Sequence, residues 1–309
     1  MKLKELFNIE ELEKLIEEDY IIYNNHPLDK DLKLLNYSRK TQFEGNWNDI
    51  TKVCRGLIVR TYNNDFNKAD VVERPWEKFF TLEQHESGWA LGDEEESNTK
   101  INLDIDFNAK AEVTDKVDGS LGILYTLNND IFLATKGSFK SDQSIYYNKF
   151  LRENKEYYKQ LKLLKETYPN ITFLFELVGL RNRVVIRYEE DDIIFLGAVN
   201  VETGEYYSTD DFKDIWTLSV AEKMTAENLT QALALPTRKD KEGVVVRILS
   251  DNVENQMQIK IKQEDYLLLH RLAHSFSNRK AKEIIRELDF TYAEYIKFYL
   301  NNTVENNRR

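Results

Sequence analysis

The segment best suited to chemistry is Lys116-Val117-Asp118-Gly119-Ser120-Leu121. A strand-like run, Ala111 to Val117, carries the lysine at its end, Asp-Gly favours a tight turn, and a second run leaves at once. Such a turn holds an amine at the mouth of a sheet pair, with backbone N–H groups beside it. An amine attacks only when neutral, and with an ordinary pKa near 10.4 only about one lysine in 2,500 is neutral at pH 7. Desolvation or neighbouring cations must lower that value before the lysine becomes a nucleophile. Taken alone, the segment also reads as a plain hairpin with an exposed lysine.

Other charged residues stand where a charge needs a reason. In Gln258-Ile259-Lys260-Ile261-Lys262 the strand period of two puts both lysines on one face and both isoleucines on the other. Like charges on one face repel, so the pair implies either an anion or an exposed edge strand. Arg55 precedes the run Gly56-Leu57-Ile58-Val59, where its planar fork can take a phosphate or carboxylate. Glu176 interrupts the apolar run Phe173 to Val178, and Glu242 stands at the entrance to Gly243-Val244-Val245-Val246-Arg247. A carboxylate in such a place faces water, a partner or a ligand, because an unpaired buried charge is costly. Together these residues describe a polyphosphate site. It has one candidate nucleophile, Lys116, and three further cations, Arg55, Lys260 and Lys262. Its carboxylates suit a ribose hydroxyl or Mg²⁺.

Short strands must position most of these groups. β-Branched and aromatic runs cover Val53 to Tyr62, Ala69 to Arg74, Ala111 to Val117, Leu121 to Leu127, Ile131 to Thr135, Ile171 to Val178, Arg183 to Tyr188, Ile193 to Val201, Gly243 to Leu249 and Gln256 to Lys262. Asn128-Asn129-Asp130 suits a hairpin turn between two of them. Asn8 caps an amphipathic helix with Ile9, Leu12, Leu15 and Ile16 on one face. The longest helical pattern runs from Ser141 to Tyr168, shorter pieces fall between Thr209 and Leu235, and the pattern is helical again from Gln263. Strands in hairpins interrupted by a few helices predict an α+β fold of mainly antiparallel sheets. Neither a dinucleotide fingerprint nor a P-loop occurs.

Composition sets outer bounds. The 309 residues hold 43 Lys+Arg against 54 Asp+Glu, a net charge of −11, which argues against a polycation that coats nucleic acid by bulk charge. Part of the excess sits in the first helix and in Asp93 to Glu96, expected as a solvated loop. One cysteine, Cys54, and 4 histidines leave no disulfide and no cysteine-rich zinc site. The longest apolar run, about Ile193 to Val199, falls far short of the roughly 20 residues of a membrane span. A soluble, intracellular and cytoplasmic protein without a membrane partner is the expectation.

In order and spacing, these segments resemble the motifs of the covalent nucleotidyltransferase superfamily: Lys116-Val117-Asp118-Gly119, Phe173 to Gly179, Glu242-Gly243-Val244-Val245 and Lys260-Ile261-Lys262. Further cues are Cys54-Arg55-Gly56, Arg74-Pro75-Trp76-Glu77-Lys78-Phe79-Phe80, Lys136-Gly137-Ser138, Asn182-Arg183-Val184-Val185 and Glu202-Thr203-Gly204-Glu205-Tyr206. With these the chain is most similar to the RNA ligase 1 family of T-even phages, from about residue 50 to 270.

The resemblance implies an ATP-dependent RNA ligase, active in RNA repair, that joins 5′-phosphate and 3′-hydroxyl ends through a lysyl-AMP intermediate. Lys116 would carry the AMP. Arg55 and Lys78 would contact phosphates or the incoming 5′ end, and Lys136 would lie near the nucleotide. Glu176 would bind the ribose, Glu242 would support a Mg²⁺ for which Mn²⁺ can substitute, and Lys260 and Lys262 would hold the α-phosphate and the leaving pyrophosphate. It implies a monomer whose nucleotidyltransferase domain spans 1–262, with 1–50 matching weakly, followed by a short helical tail over 263–309. The alternatives are a GTP-dependent capping-type enzyme, a DNA ligase, or a non-catalytic RNA-end-binding protein. The first two usually append an OB-fold, for which the tail is too short and too helical, and the third has no use for a nucleophile.

Overall fold

Period-two alternation builds three sheets, of which the second and third carry most of the charged residues of the cleft. The computed structural model describes residues 1–87, 105–182, 185–250, 252–253, 256–263 and 266–267. Asp93 to Glu96 and most of the expected helical tail lie outside the described residues.

The first sheet is an antiparallel meander of β1 (Ile21–His26), β2 (Asp29–Tyr37), β3 (Arg55–Tyr62) and β4 (Asp65–Glu73). Its outer face, with Leu35, Leu57 and Val59, packs under the N-terminal helices through Leu3, Ile9, Leu12 and Leu15. Asn8 caps the second of these, Ile9–Glu17, as the sequence predicts. The inner face, with Leu32, Leu34 and Ile58, packs on the second sheet through Ile123, Tyr125 and Leu174.

The second sheet takes the order β11-β10-β9-β7-β8, from β7 (Ser120–Leu127), β8 (Asp130–Thr135), β9 (Ile171–Val178), β10 (Asp192–Asn200) and β11 (Tyr206–Tyr207), with antiparallel neighbours. Asn128 and Asn129 both take positive φ, 51° and 61°, which makes the expected tight hairpin turn. The far face of the sheet, with Leu124, Phe173 and Phe175, buries Tyr147, Leu151, Leu161 and Leu164 of the covering helices. Those helices are two, Asp142–Glu153 and Lys155–Thr167, where the sequence pattern suggests one. Asn154 breaks them with φ −111° and ψ 86°, and its side-chain amide donates to the Phe150 carbonyl at 2.8 Å. An asparagine that bonds the backbone locally competes with helix continuation, and it does so without a Gly or Pro to announce it.

The third sheet, in the order β5-β13-β12-β6, comprises β5 (Phe80–Thr81), β6 (Ala111–Asp115), β12 (Gly243–Ile248) and β13 (Met257–Lys262). One face is apolar, with Val113, Val244, Val246 and Ile259 packed on Leu229 and Ala232. The register sets Glu112 beside Arg247, Thr114 beside Val245, Arg247 beside Gln258, and Val245 beside Lys260, so the polar residues share the other face.

Two expected strand features differ. The Lys116-Val117-Asp118-Gly119 segment is not a hairpin: β6 belongs to the third sheet and β7 to the second, so the segment crosses between sheets. Residues 185–188 of the expected strand Arg183 to Tyr188 are not a strand, because the Val185 and Ile186 N–H groups donate to the Asp118 carboxylate at 2.8 and 2.7 Å instead of to a ladder. The stretch from Thr209 to Leu235 holds one 3₁₀ turn, Thr209–Phe212, and one short helix, Leu229–Leu233, with turns between.

Candidate active site

The crossover between sheets places Lys116 at a cleft rather than on a surface turn. Its backbone N–H donates to the Gly243 carbonyl at 3.0 Å, which docks it against the start of β12. Asp118 ties down the other end of the segment by accepting from Val185, Ile186 and, at 2.9 Å, the Tyr266 hydroxyl. Gly119 passes so close to the Leu177 carbonyl that any Cβ would press into it. The Lys116 to Gly119 segment is thus fixed from both sheets.

Glu242 holds two lysines at once. Its Oε2 lies 2.7 Å from Lys116 Nζ and its Oε1 2.9 Å from Lys262 Nζ, and the carboxyl is almost wholly buried. Burial works to raise its pKa, but the two lysines outweigh burial and hold it below the ordinary value. Among the described residues no group of three or more His, Cys, Asp and Glu is arranged to hold a metal ion. The donor set suits a cation that arrives on phosphate oxygens, in the manner of Mg²⁺, rather than a protein cage.

A second group of cations has no such partner among the described residues. Lys136 donates to the Tyr37 hydroxyl at 2.9 Å and lies 4.4 Å from that ring's centroid. Lys78 sits 4.7 Å from the centroid of Phe80 and 5.3 Å from that of Trp47, while Arg55 and Lys260 each lie 5.5 Å from Phe79. Burial, with Arg55 and Lys136 adding to it against Tyr37, brings the Lys78 amine down to about 8. Burial together with Lys78, Lys116, Lys262 and Arg55 brings Lys260 well below the ordinary lysine range. Burial would raise Tyr37, yet Lys136, Arg55 and Lys78 prevail and lower it.

Glu176 shares the cleft-facing side of β9 with Thr172 and Leu174, while Phe173, Phe175 and Leu177 face the helices. Burial pushes its carboxyl up to about 8, against the pull of Lys116 and with Glu242 and Asp118 adding to the rise. Arg55, Lys116, Lys136 and Glu176 line a cavity of about 420 Å³, closed further in by Trp76, Val245 and Arg247. The volume falls within the range of small-molecule sites.

All eight residues singled out in the sequence therefore meet at one place. Lys260 and Lys262 share a face of β13 as the period of two predicts, and they end beside different partners. Three contributors escaped the sequence reading. Tyr37 comes from the unassigned N-terminal region, where no motif marks it. Asp118 lies inside the nucleophile segment, and its anchoring role depends on distant N–H groups. Arg247 interrupts an apolar strand, the same signal that marked Glu176.

Known proteins share the family and the fold. The family model described as RNA ligase, of the T-even phage RNA ligase 1 type, matches residues 53–268. A protein of Autographa californica nuclear polyhedrosis virus, described as a bifunctional polynucleotide kinase/RNA ligase, is 27% identical over 254 residues, 78% of this chain and 34% of the viral one. The chain thus spans about a third of that curated relative's length. An archaeal ATP-dependent RNA ligase superposes with a TM-score of 0.53 at 12% identity, covering 94% of this chain and 74% of the other. A protein of Aquifex aeolicus described as an ATP-dependent DNA ligase gives 0.53 at 13% identity, covering 91% and 75%. These two likenesses establish a fold shared with these two proteins. With a site that unites all eight motif residues and a family match over 53–268, the chain belongs to the RNA ligase family.

Proposed function

We propose that the protein is an ATP-dependent RNA ligase that seals 5′-phosphate and 3′-hydroxyl ends in RNA repair, working inside the cell as a monomer. The observation that carries this reading is the pairing of Lys116 with Glu242 at 2.7 Å beside a cluster of four cations that share no carboxylate among the described residues. Lys116 Nζ, once neutral, forms a bond to the α-phosphorus of ATP as the bond from that phosphorus to the bridging oxygen breaks and pyrophosphate leaves. Glu242 is the nearest acceptor for the lysine's proton. Arg55, Lys78, Lys136 and Lys260 supply charge for the departing phosphates, and Glu176 faces the ribose. A bound Mg²⁺ would add charge stabilisation at the phosphate oxygens, with Glu242 beside it. The AMP then passes from Lys116 to a 5′-phosphate oxygen, and a 3′-hydroxyl displaces AMP to close the strand.

The place of Tyr37 beside the cation cluster supports counting residues 1–50 with the ligase domain. Incubation with α-labelled ATP or GTP and Mg²⁺, followed by a denaturing gel, tests the reading. Label transferred from ATP and lost in Lys116→Ala is the expected result. No label from either nucleotide would overturn it. Sealing of 5′-phosphorylated single strands then separates RNA from DNA, and closure of DNA alone would overturn the substrate assignment.

A further inference from the structure

The segment between β4 and β5 has a cavity on each side. Trp76 and Phe79 line the nucleotide cleft, whereas Arg74 and Glu77 line a separate, partly open cavity of about 250 Å³ that Tyr206 and Gly204 complete.

The walls of this second cavity are firmly built. Glu73 Oε1 meets Lys165 Nζ at 2.7 Å, with both side chains buried. The Thr172 hydroxyl donates to Glu73 Oε2 at 2.9 Å and accepts from the Arg74 N–H at 2.8 Å, which pins the backbone where Arg74 begins. Pro75 then fixes the next φ. The Arg74 guanidinium lies against the backbone of Gly204, where a Cβ would come within 2.8 Å of it and where φ is +77°. Its hydrogen bond to protein is a long one, from Nη1 to the Glu202 carbonyl at 3.5 Å, so most of its five donors are unengaged. Glu77 has no hydrogen bond or ion pair among the described residues. The Tyr206 ring stands edge-on to Trp76, with centroids 6.3 Å apart, and gives the cavity a flat wall.

A guanidinium with open donors and a carboxylate with open acceptors, held apart beside an aromatic ring, complement a flat group that presents acceptor and donor side by side. Unstacked RNA bases are recognised through that combination of ring contact and edge hydrogen bonds. The volume lies below the roughly 300–1,000 Å³ of drug-sized sites and suits one ring system rather than a whole nucleotide. We propose that this cavity receives a nucleobase of the RNA substrate next to its 5′-phosphate, with Arg74 donating to the base and Glu77 accepting from it. Guanine fits best, because it offers a carboxylate two adjacent N–H groups. Glu77 lines this cavity while Trp76 and Phe79, on either side of it in the chain, line the nucleotide cleft, so a terminal nucleotide meets both. The proposal rests on the RNA ligase reading and adds a base-reading subsite to it.

The test is equilibrium binding by fluorescence anisotropy, with short labelled 5′-phosphorylated RNAs that carry guanine or no base at the first position. The abasic strand is expected to bind about 10- to 100-fold more weakly, the usual worth of hydrogen bonds to charged groups. Glu77→Gln should lose a similar factor on the guanine strand and little more on the abasic strand, since one contact cannot be lost twice. Equal binding of the two strands by the unaltered protein overturns the proposal, as does a Glu77→Gln variant that weakens both alike. If that variant does not fold, the comparison of strands in the unaltered protein decides by itself. Failure of the ligase reading shows separately, as absence of ATP-derived label on the protein. Base-blind binding with labelling intact sinks the cavity alone.

Discussion

Two groups of cations face the cleft, and the protein treats them in opposite ways. Lys116 and Lys262 share the Glu242 carboxylate at 2.7 and 2.9 Å, so their charge is half compensated within the fold. Arg55, Lys78, Lys136 and Lys260 lie against aromatic rings, Lys136 with a hydrogen bond to the Tyr37 hydroxyl as well, with no carboxylate within ion-pair distance among the described residues. Buried like charges disfavour one another, and Lys78 and Lys260 are lowered accordingly. The paired group keeps Lys116 in place beside the cleft. The unpaired group is held at a cost to the empty protein and is compensated only by an anion. Lys260 and Lys262, two residues apart on one face of one strand, fall on opposite sides of this division.

Replacing Lys116, the proposed nucleophile, should give the largest effect. Lys116→Arg keeps a charge beside Glu242 and so keeps the fold, but a guanidinium is never neutral near pH 7. Label from α-labelled ATP should fall below detection while the circular dichroism spectrum is unchanged. Detectable adenylylation of that variant would overturn the assignment of Lys116.

The two groups should next separate by the sign of a stability change. Lys78→Met and Lys260→Met each remove a cation from the unpaired cluster. Labelling at limiting ATP should fall about 10- to 100-fold, as for a lost charge-assisted contact, while the apparent Tm of the empty protein rises. Lys262→Met should also slow labelling, by about 10-fold on the same scale, but with a lower Tm, because Glu242 loses one of two partners in a buried setting. Melting curves of the three variants without nucleotide check this. A common sign for Lys260→Met and Lys262→Met would erase the distinction.

How much of this was legible in the sequence follows from the range of the interactions involved. Alternation is local, so the shared face of Lys260 and Lys262 and the cleft-facing Glu176 could be read directly. The resemblance to the phage family brought in Lys78 and Lys136, which alternation and charge had not assigned. Pairing is not local: that Lys262 meets Glu242 while Lys260 meets Lys78 depends on which strands the chain lays side by side. Lys116-Val117-Asp118-Gly119 carries every mark of a hairpin turn, and only the assembly of two sheets makes it a crossover. Over the described residues 185–188 the expected strand failed for a related reason, since a distant carboxylate, Asp118, takes the Val185 and Ile186 N–H groups. Asn154 broke a helix whose periodicity runs straight through it.

The smallest effect concerns the two glutamates, which mirror the two cation groups. Glu176 is raised from 4.5 to about 8 chiefly by burial, so between those values the folded protein holds a proton that the unfolded chain has lost. Stability from this carboxyl is present below the unfolded pKa and is lost as pH rises through about 8. Glu176→Gln has no proton to lose, so its Tm should match the unaltered protein near pH 4.5 and exceed it at pH 8.5, by on the order of several °C. Glu242 is lowered by Lys116 and Lys262, so its contribution is present above the ordinary value and lost as pH falls through the lower, folded one. Glu242→Gln should therefore be most destabilising at the pH where Glu176→Gln is most stabilising. Melts of both variants at the two pH values decide the matter, and parallel shifts would show that the two carboxyls share one environment after all.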